Sequence, residues 1–234
     1  MAIKKSELYS SLWKSCDELR GGMDASQYKD YILPLLFIKY VSDKYADDED
    51  ALITIPEGAS FNDLVKMKGK DGIGDYINKK VLAPIDRENG FDMLSKMADF
   101  NDEDKLGKGK ELIEKLSKLI AIFENPALNF SNNRAEDDDL LGDAYEYLMQ
   151  HFAKEAGKSK GQFYTPAEVS RIMAKIIGVD SATSQSQTVY DPACGSASLL
   201  LKVNDEAPNG LTIYGQEKDN ATVALAKMNM VLHN

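Results

Sequence analysis

Two short β-prone runs near the end of the chain, each followed by a helical pattern, constrain the fold more than any other feature. The first run, 188–190, stops at Asp191-Pro192 and leads into a turn that contains Gly195, while the second run is 211–214. Strands separated by a helix pair in parallel, because the helix carries the chain back to the edge from which the first strand started. The sequence therefore predicts the opening of a doubly wound α/β sheet.

The preceding residues, 1–156, have mostly helical patterns, with three stripes of apolar residues at helical spacing. A further helix, predicted over 26–45, contains Pro34, which is expected to kink or break it. The acidic run 47–50 is expected to be a solvated loop, and 51–109 supports no detailed prediction. The stripes comprise Leu8, Leu12, Cys16 and Leu19, ending at Gly21-Gly22; Leu112, Ile113, Leu116, Leu119, Ile120 and Phe123; and Leu141, Ala144, Leu148 and Phe152, preceded by Asp137, Asp138 and Asp139.

Capping residues predict where two later helices begin. Thr165 is predicted as an N-cap, with Pro166 at the first helical position and Glu168 completing a capping box, in a helix that ends near Gly178. Asp219 is predicted to cap a last helix, which reaches residue 231.

Composition limits the location and the partners of the chain. Its longest apolar stretch, 31–38, is far shorter than the roughly 20 residues of a membrane span, so no membrane and a cytoplasmic location are expected. Two distant cysteines predict free thiols, since they form no disulfide framework. With 28 Lys+Arg against 38 Asp+Glu, the formal net charge is −10. DNA binding depends on basic groups that neutralise phosphates, so a partner should supply much of any affinity for DNA.

Candidate binding residues lie where the two predicted strands end. In such a sheet, the turn after the first strand offers backbone N–H groups to a ligand, and an acid after the second accepts from ribose hydroxyls. Asp191, Gly195 and Glu217 occupy these positions, which indicates a nucleoside-containing cofactor, although a purely structural turn fits the same spacing. A single glycine does not make the G-x-G-x-x-G turn of pyrophosphate cofactors, so S-adenosylmethionine is favoured.

Two sequence motifs resemble those of a known protein family. Residues 161–166, Gly-Gln-Phe-Tyr-Thr-Pro, are followed about 25 residues later by 191–197, Asp-Pro-Ala-Cys-Gly-Ser-Ala. The pair resembles the cofactor motifs of amino-methylating DNA methyltransferases, in the form found in type I modification subunits. The helical region resembles that family as well, most clearly over 28–40, and only 51–109 is matched loosely.

The resemblance implies a set of residues around S-adenosylmethionine. The first motif would lie near the methionine end of the cofactor, the second would wrap methionine and ribose, and Glu217 would bind the ribose hydroxyls. Ordinary core packing is the alternative for Phe163 and Tyr164. The implied cofactor-binding residues are Gln162, Phe163, Tyr164, Thr165, Pro166, Asp191, Ala193, Gly195, Ser196, Ala197 and Glu217.

The resemblance also implies the fold, the reaction and the partners. A mostly helical N-terminal domain, 1–156, facing a partner or DNA, would precede the first part of a Rossmann-like S-adenosylmethionine-dependent methyltransferase sheet, 157–234. The whole protein would methylate N6 of adenine in double-stranded DNA, together with a specificity subunit and a restriction subunit, the translocating nuclease. Catalytic residues are expected beyond Asn234, because the family's Asn/Asp-Pro-Pro-aromatic segment is missing here and the sequence has no Pro-Pro pair.

Other chemistry is less favoured. Cys194 lies beside Asp191, which is a poor setting for a nucleophilic thiolate, and His151 and His233 share no ligand spacing. Two alternative functions are a non-catalytic assembly module that docks a specificity subunit, and a small-molecule methyltransferase or nicotinamide enzyme. The missing G-x-G-x-x-G argues against a nicotinamide enzyme. The helical region has no obvious role in an enzyme that acts on a small substrate.

Overall fold

A computed structural model describes residues 5–21, 23–45, 51–129, 140–155 and 164–233. The chain forms two compact units, Met1–Leu148 and Met149–Asn234. The domain boundary predicted after residue 156 stays a prediction. Across the described ranges, no helix is both long and apolar enough to cross a membrane.

The first unit is built from helices in its described ranges, joined by short turns. A π-helical segment, Ile77–Leu82, connects the fourth helix to the fifth, and 3-10 turns lie at Leu94–Lys96 and Pro126–Leu128. The helices are α1 (Lys5–Arg20), α2 (Ala25–Tyr45), α3 (Phe61–Lys66), α4 (Ile73–Tyr76), α5 (Ala83–Asn89), α6 (Glu103–Leu106), α7 (Lys110–Phe123) and α8 (Leu140–Glu155), whose last residues belong to the second unit.

Helix α7 is central to the first unit, where it contacts α1, α2, α3, α4 and α6. Its predicted stripe is confirmed, since Leu116, Leu119, Ile120 and Phe123 are completely buried. Burying four large apolar side chains along one face stabilises the unit by several kcal/mol, at about 1.5–3 kcal/mol for each. The acids predicted at the start of α8 and in the 47–50 loop lie outside the described residues.

Helix α2 is buried on all sides over much of its length, and all of 31–38 is buried. The helix continues through Pro34, so of the two predicted outcomes, a kink or a break, the break is wrong. Proline removes one backbone donor, but the burial of residues on every side of the helix outweighs that loss. Where proline follows the π-helical segment, at Pro84, the Ala83 N–H instead donates to the Asn78 carbonyl, five residues back.

The second unit contains a parallel pair of strands with helices around it. Strand β1 pairs with β2 in parallel, with Thr188 opposite Thr212 and Asp191 opposite Gly215, which confirms the predicted start of a parallel sheet. Helix α10 packs against both strands and against α9 and α11. The elements are α9 (Ala167–Ile177), β1 (Thr188–Asp191), α10 (Ser198–Asp205), β2 (Thr212–Gly215) and α11 (Asn220–Leu232), with a 3-10 turn at Val179–Ser181.

The caps of these helices agree with the sequence in two cases out of three. Asp219 accepts from the Thr222 N–H at 2.8 Å and caps α11, and Gly178 ends α9 with φ +71°. The predicted capping box at Thr165 is wrong, because Pro166 is the N-cap of α9 and no side chain caps the helix. The proline has ψ 139°, which is extended, so helical conformation starts one residue later than predicted.

Candidate functional site

The turn after β1 and the loop after β2 are joined by two backbone hydrogen bonds. The Gln216 N–H donates to the Asp191 carbonyl, and the Cys194 N–H donates to the Gln216 carbonyl, both at 2.9 Å. The strand ends are also in register, Asp191 opposite Gly215. The two segments that carry the predicted acids are therefore held side by side at the carboxyl ends of parallel strands, where ligands bind in such sheets.

The turn itself, residues 191–197, is tightly wound. Asp191 Oδ1 accepts from the Ala193 N–H at 2.9 Å, and the Ala197 N–H donates to the Cys194 carbonyl at 2.8 Å. Gly195 has φ +56° and Ala197 has φ +64°. The left-handed region is costly for a residue with a Cβ atom, and residues held there cluster at functional sites.

Backbone donors of this turn are available to a ligand. Gly195 and Ser196 are buried, and within the described ranges their N–H groups meet no acceptor. Buried N–H groups nearly always have a partner. The turn therefore offers two donors immediately before the start of α10, at Ser198.

Glu217 is held in a fixed position beside the turn. Its Oε1 accepts from the N–H groups of Lys218 at 2.7 Å and Asp219 at 2.9 Å. The second oxygen, Oε2, accepts no hydrogen bond from the described residues. A half-buried carboxylate fixed through one oxygen can accept hydroxyl hydrogen bonds through the other.

Burial and charge act on Cys194. Burial raises the pKa of its thiol, and the negative charges of Asp191 and then Glu217 raise it further. Nucleophilic cysteines need the opposite, a lowered pKa in an electropositive setting. The raised pKa therefore argues against a nucleophilic role for this thiol.

We expect Cys194 to react slowly with iodoacetamide in the folded chain, since only the thiolate reacts. Its alkylation rate should rise with pH beyond the ordinary thiol value of 9.0. Cys16 should stay unmodified until the chain unfolds, because burial and Asp17 raise its pKa to about 12. Mass spectrometry of the two cysteine peptides measures both rates. A Cys194 rate that is already maximal at neutral pH would contradict the raised pKa.

Gly215 allows β2 to pass close to the turn. A Cβ atom at this position would lie 2.9 Å from Cys194 Sγ and 3.2 Å from Leu200 Cδ1. Gly215→Ala is therefore expected to reduce the free energy of unfolding by about 1–2 kcal/mol, as overpacking does. Urea denaturation measured by circular dichroism tests this. Adding Cys194→Ala should recover part of the loss, whereas strictly additive losses would show that the two residues do not clash.

The remaining predicted residues lie at the start of α9. Tyr164, Thr165 and Pro166 directly precede this helix, which packs against α10, while Gln162 and Phe163 lie outside the described residues. The structure thus brings together the turn and Glu217 and leaves the role of the first motif a prediction. Gln216, whose backbone ties the two loops, was missed by sequence analysis. Its position directly after a predicted strand was the available signal.

A separate cavity of 280 Å³ lies at the other end of the strands, where its lining includes Gly178, Thr188 and Leu211. Thr188 begins β1 and Leu211 directly precedes β2. Ligands of doubly wound sheets bind at the carboxyl ends, so this cavity is not the candidate site.

Two family models match the chain. The HsdM N-terminal domain matches residues 8–123, and N-6 DNA Methylase matches residues 136–234. Among curated relatives, the type I restriction enzyme MpnII methylase subunit of Mycoplasma pneumoniae is 31% identical, over 99% of this chain and 51% of the relative. The MjaVIII methylase subunit of Methanocaldococcus jannaschii is 30% identical, over 99% of this chain and 41% of the relative.

Solved structures give the same result. The type I restriction-modification system methyltransferase subunit from Streptococcus thermophilus aligns with a TM-score of 0.77 at 28% identity, over 98% of this chain and 56% of that one. The chain therefore spans about half the length of the proteins it matches.

Proposed function

This chain belongs to the family of methylase subunits of type I restriction enzymes, with similarity to their N-terminal portion, and we propose that it binds S-adenosylmethionine for the methylation of adenine N6 in DNA. The observation that carries the proposal is the meeting of the 191–197 turn with Glu217 at the carboxyl ends of β1 and β2. The N-6 DNA Methylase model and the named methylase subunits support the same reaction class.

The chemistry of the donor set fits this cofactor. Asp191 and Glu217 are acidic, and S-adenosylmethionine carries a sulfonium and an ammonium cation, which favour a site with two carboxylates. Asp191 lies in the turn where a pyrophosphate would bind and would repel it, which weighs against a nicotinamide cofactor. Bound S-adenosylmethionine would supply an electrophilic methyl group.

Each residue of the site has a proposed task. Glu217 accepts from the ribose hydroxyls through Oε2, since Oε1 is held by two backbone N–H groups. Gly195 and Ser196 donate their N–H groups to the methionine portion, and Asp191 faces its ammonium. The start of α9 lies near the methionine carboxylate, where the positive end of the helix dipole favours an anion.

Calorimetric titration of the folded chain with S-adenosylmethionine tests the proposal. We expect saturable binding of one equivalent and no comparable binding of NAD. Circular dichroism before titration verifies that the sample is folded. A folded chain that prefers NAD, or that binds neither compound, would contradict the proposed cofactor.

Catalysis is proposed to need residues that this chain does not hold. Its sequence has no Pro-Pro pair, and in the family resemblance the Asn/Asp-Pro-Pro-aromatic segment holds the amine of a flipped base, which cannot be reached inside the duplex. We expect no transfer of tritiated methyl groups to DNA by the purified chain alone. Detectable transfer would show that other residues perform the reaction.

DNA binding is proposed to depend on partner subunits. The formal charge of −10 opposes association with phosphates, so a specificity subunit would supply sequence recognition and much of the affinity, and a restriction subunit would join for cleavage. Docking a specificity subunit is then a task for the helical first unit. A pull-down that retains no specificity subunit would contradict it.

A further inference from the structure

A buried asparagine lies beneath the candidate cofactor turn. Asn229, on α11, is completely buried, and its Nδ2 donates to the Ser196 carbonyl at 2.9 Å and to Ser198 Oγ at 3.3 Å. The hydroxyls of Ser196 and Ser198 lie 2.9 Å apart and share a hydrogen bond. Three buried polar side chains therefore form one network around Ala197.

The rest of this face of α11 is apolar, since Leu225, Met228 and Leu232 are fully buried. Asn229 Oδ1 is also buried and has no hydrogen-bond partner among the described residues. A buried acceptor without a donor costs free energy, so an apolar residue would suit this position better if packing alone mattered. The two hydrogen bonds that Nδ2 donates explain why an asparagine occupies this position.

The conformation of the turn shows what those hydrogen bonds accomplish. Ala197 has φ +64°, which an alanine adopts only when its surroundings hold it there. The carbonyl of Ser196 belongs to the peptide that enters Ala197, and Asn229 fixes that carbonyl from below. Asn229 donates to this carbonyl, and the Ala197 N–H donates to the Cys194 carbonyl. The N–H groups of Gly195 and Ser196 meet no acceptor among the described residues.

We propose that Asn229 is a positioning residue for the cofactor turn, which it locks in the strained conformation that presents the Gly195 and Ser196 N–H groups to the methionine portion of S-adenosylmethionine. This inference rests on the proposed function for its ligand, but the locking of the turn is a property of the chain by itself. Asn229 acts through Ser196 and Ser198 and does not touch the cofactor.

The test compares Asn229→Ala with Asn204→Ala in the full chain. Asn204 Oδ1 accepts from the Leu211 N–H at 2.8 Å, so its loss removes a similar side-chain bond away from the turn. Asn229→Ala is expected to weaken S-adenosylmethionine binding roughly tenfold, the factor that corresponds to one lost buried hydrogen bond. It should also speed amide hydrogen exchange over 194–198, whereas Asn204→Ala should do neither.

Rescue separates positioning from general stability. Glycine adopts positive φ without a Cβ penalty, so Ala197→Gly added to Asn229→Ala should restore much of the lost affinity. If Asn229→Ala fails to fold, Ser198→Ala removes one of the two acceptors and should show a smaller loss in the same direction. Unchanged affinity in the folded Asn229→Ala or Ser198→Ala variant, or an equal loss in Asn204→Ala, would overturn the proposal.

The outcomes also separate this inference from the proposed function. A parent chain that does not bind S-adenosylmethionine contradicts the proposed cofactor, and with it the ligand part of the inference. Hydrogen exchange then still decides whether Asn229 locks the turn. Faster exchange over 194–198 in Asn229→Ala alone supports the lock, and equal rates in the parent and the variant exclude it.

Discussion

Asp86→Ala is expected to lower the free energy of unfolding of the first unit by about 3 kcal/mol, the cost of leaving several buried donors without an acceptor. Asp86 is 6% exposed. It accepts from the N–H groups of Met93 at 3.3 Å, Leu94 at 3.0 Å and Ser95 at 2.9 Å, and from the Ser95 hydroxyl at 2.6 Å. One side chain thus accepts from three consecutive backbone N–H groups, those of residues 93–95.

Urea denaturation followed by fluorescence measures this loss selectively, because the single tryptophan, Trp13, lies on α1 in the first unit. Asp86→Asn keeps one acceptor oxygen and should lose less. Asp63→Ala is the matched control, since Asp63 lies nearer the surface and completes the capping box of α3 by accepting from the Ser60 N–H, and loss of such a capping bond costs about 1 kcal/mol. Equal losses in the free energy of unfolding of the two alanine variants would contradict the large contribution expected of the Asp86 hydrogen bonds.

The same residue illustrates what could not be predicted over 51–109. The elements there are short, and side-chain hydrogen bonds to the backbone define them, as at Asp86 and at the capping box of Ser60 and Asp63. Such bonds leave no apolar period in the sequence, and periodicity is the main signal of secondary structure. Long helices such as α7 were predictable because one face of each is buried.

Tertiary burial overrode one local signal, and a second signal failed at the start of a helix. Pro34 predicted a kink or a break in α2, but the helix is buried on all sides and does not break. Thr165 and Glu168 suggested a capping box, yet Pro166 became the N-cap and extended the chain for one more residue. Local propensity indicates where a helix exists more reliably than where it begins.

The candidate site was predictable as far as the geometry of parallel strands determines it. Asp191, Gly195 and Glu217 follow strand ends, and the carboxyl ends of parallel strands meet at one edge. The role of Asn229 could not be predicted from the sequence, because its contact with Ser196 joins residues 33 positions apart on separate elements. An asparagine between two methionines in an apolar helix was the one local sign of a buried polar role.

Glu217→Ala is expected to weaken S-adenosylmethionine binding roughly 100-fold, because two hydroxyl hydrogen bonds to a charged acceptor are lost at about 1.5 kcal/mol or more each. The carboxylate is already oriented by the Lys218 and Asp219 N–H groups, so the parent chain spends little free energy on ordering it when the ligand binds. Glu217→Gln keeps an acceptor oxygen without the charge, and its affinity should fall between those of the parent and the alanine variant.

Calorimetric titration of the three proteins measures these losses, and Glu206→Ala serves as the charge-matched control. Glu206 follows α10 and pairs with Arg171 at 3.1 Å, so its replacement changes the net charge equally but leaves the two strand ends intact. We expect Glu206→Ala to bind S-adenosylmethionine within about threefold of the parent, since exposed ion pairs contribute at most about 1 kcal/mol. Equal losses in Glu206→Ala and Glu217→Ala would mean that net charge governs the affinity, and Glu217 would then have no specific contact with the ribose.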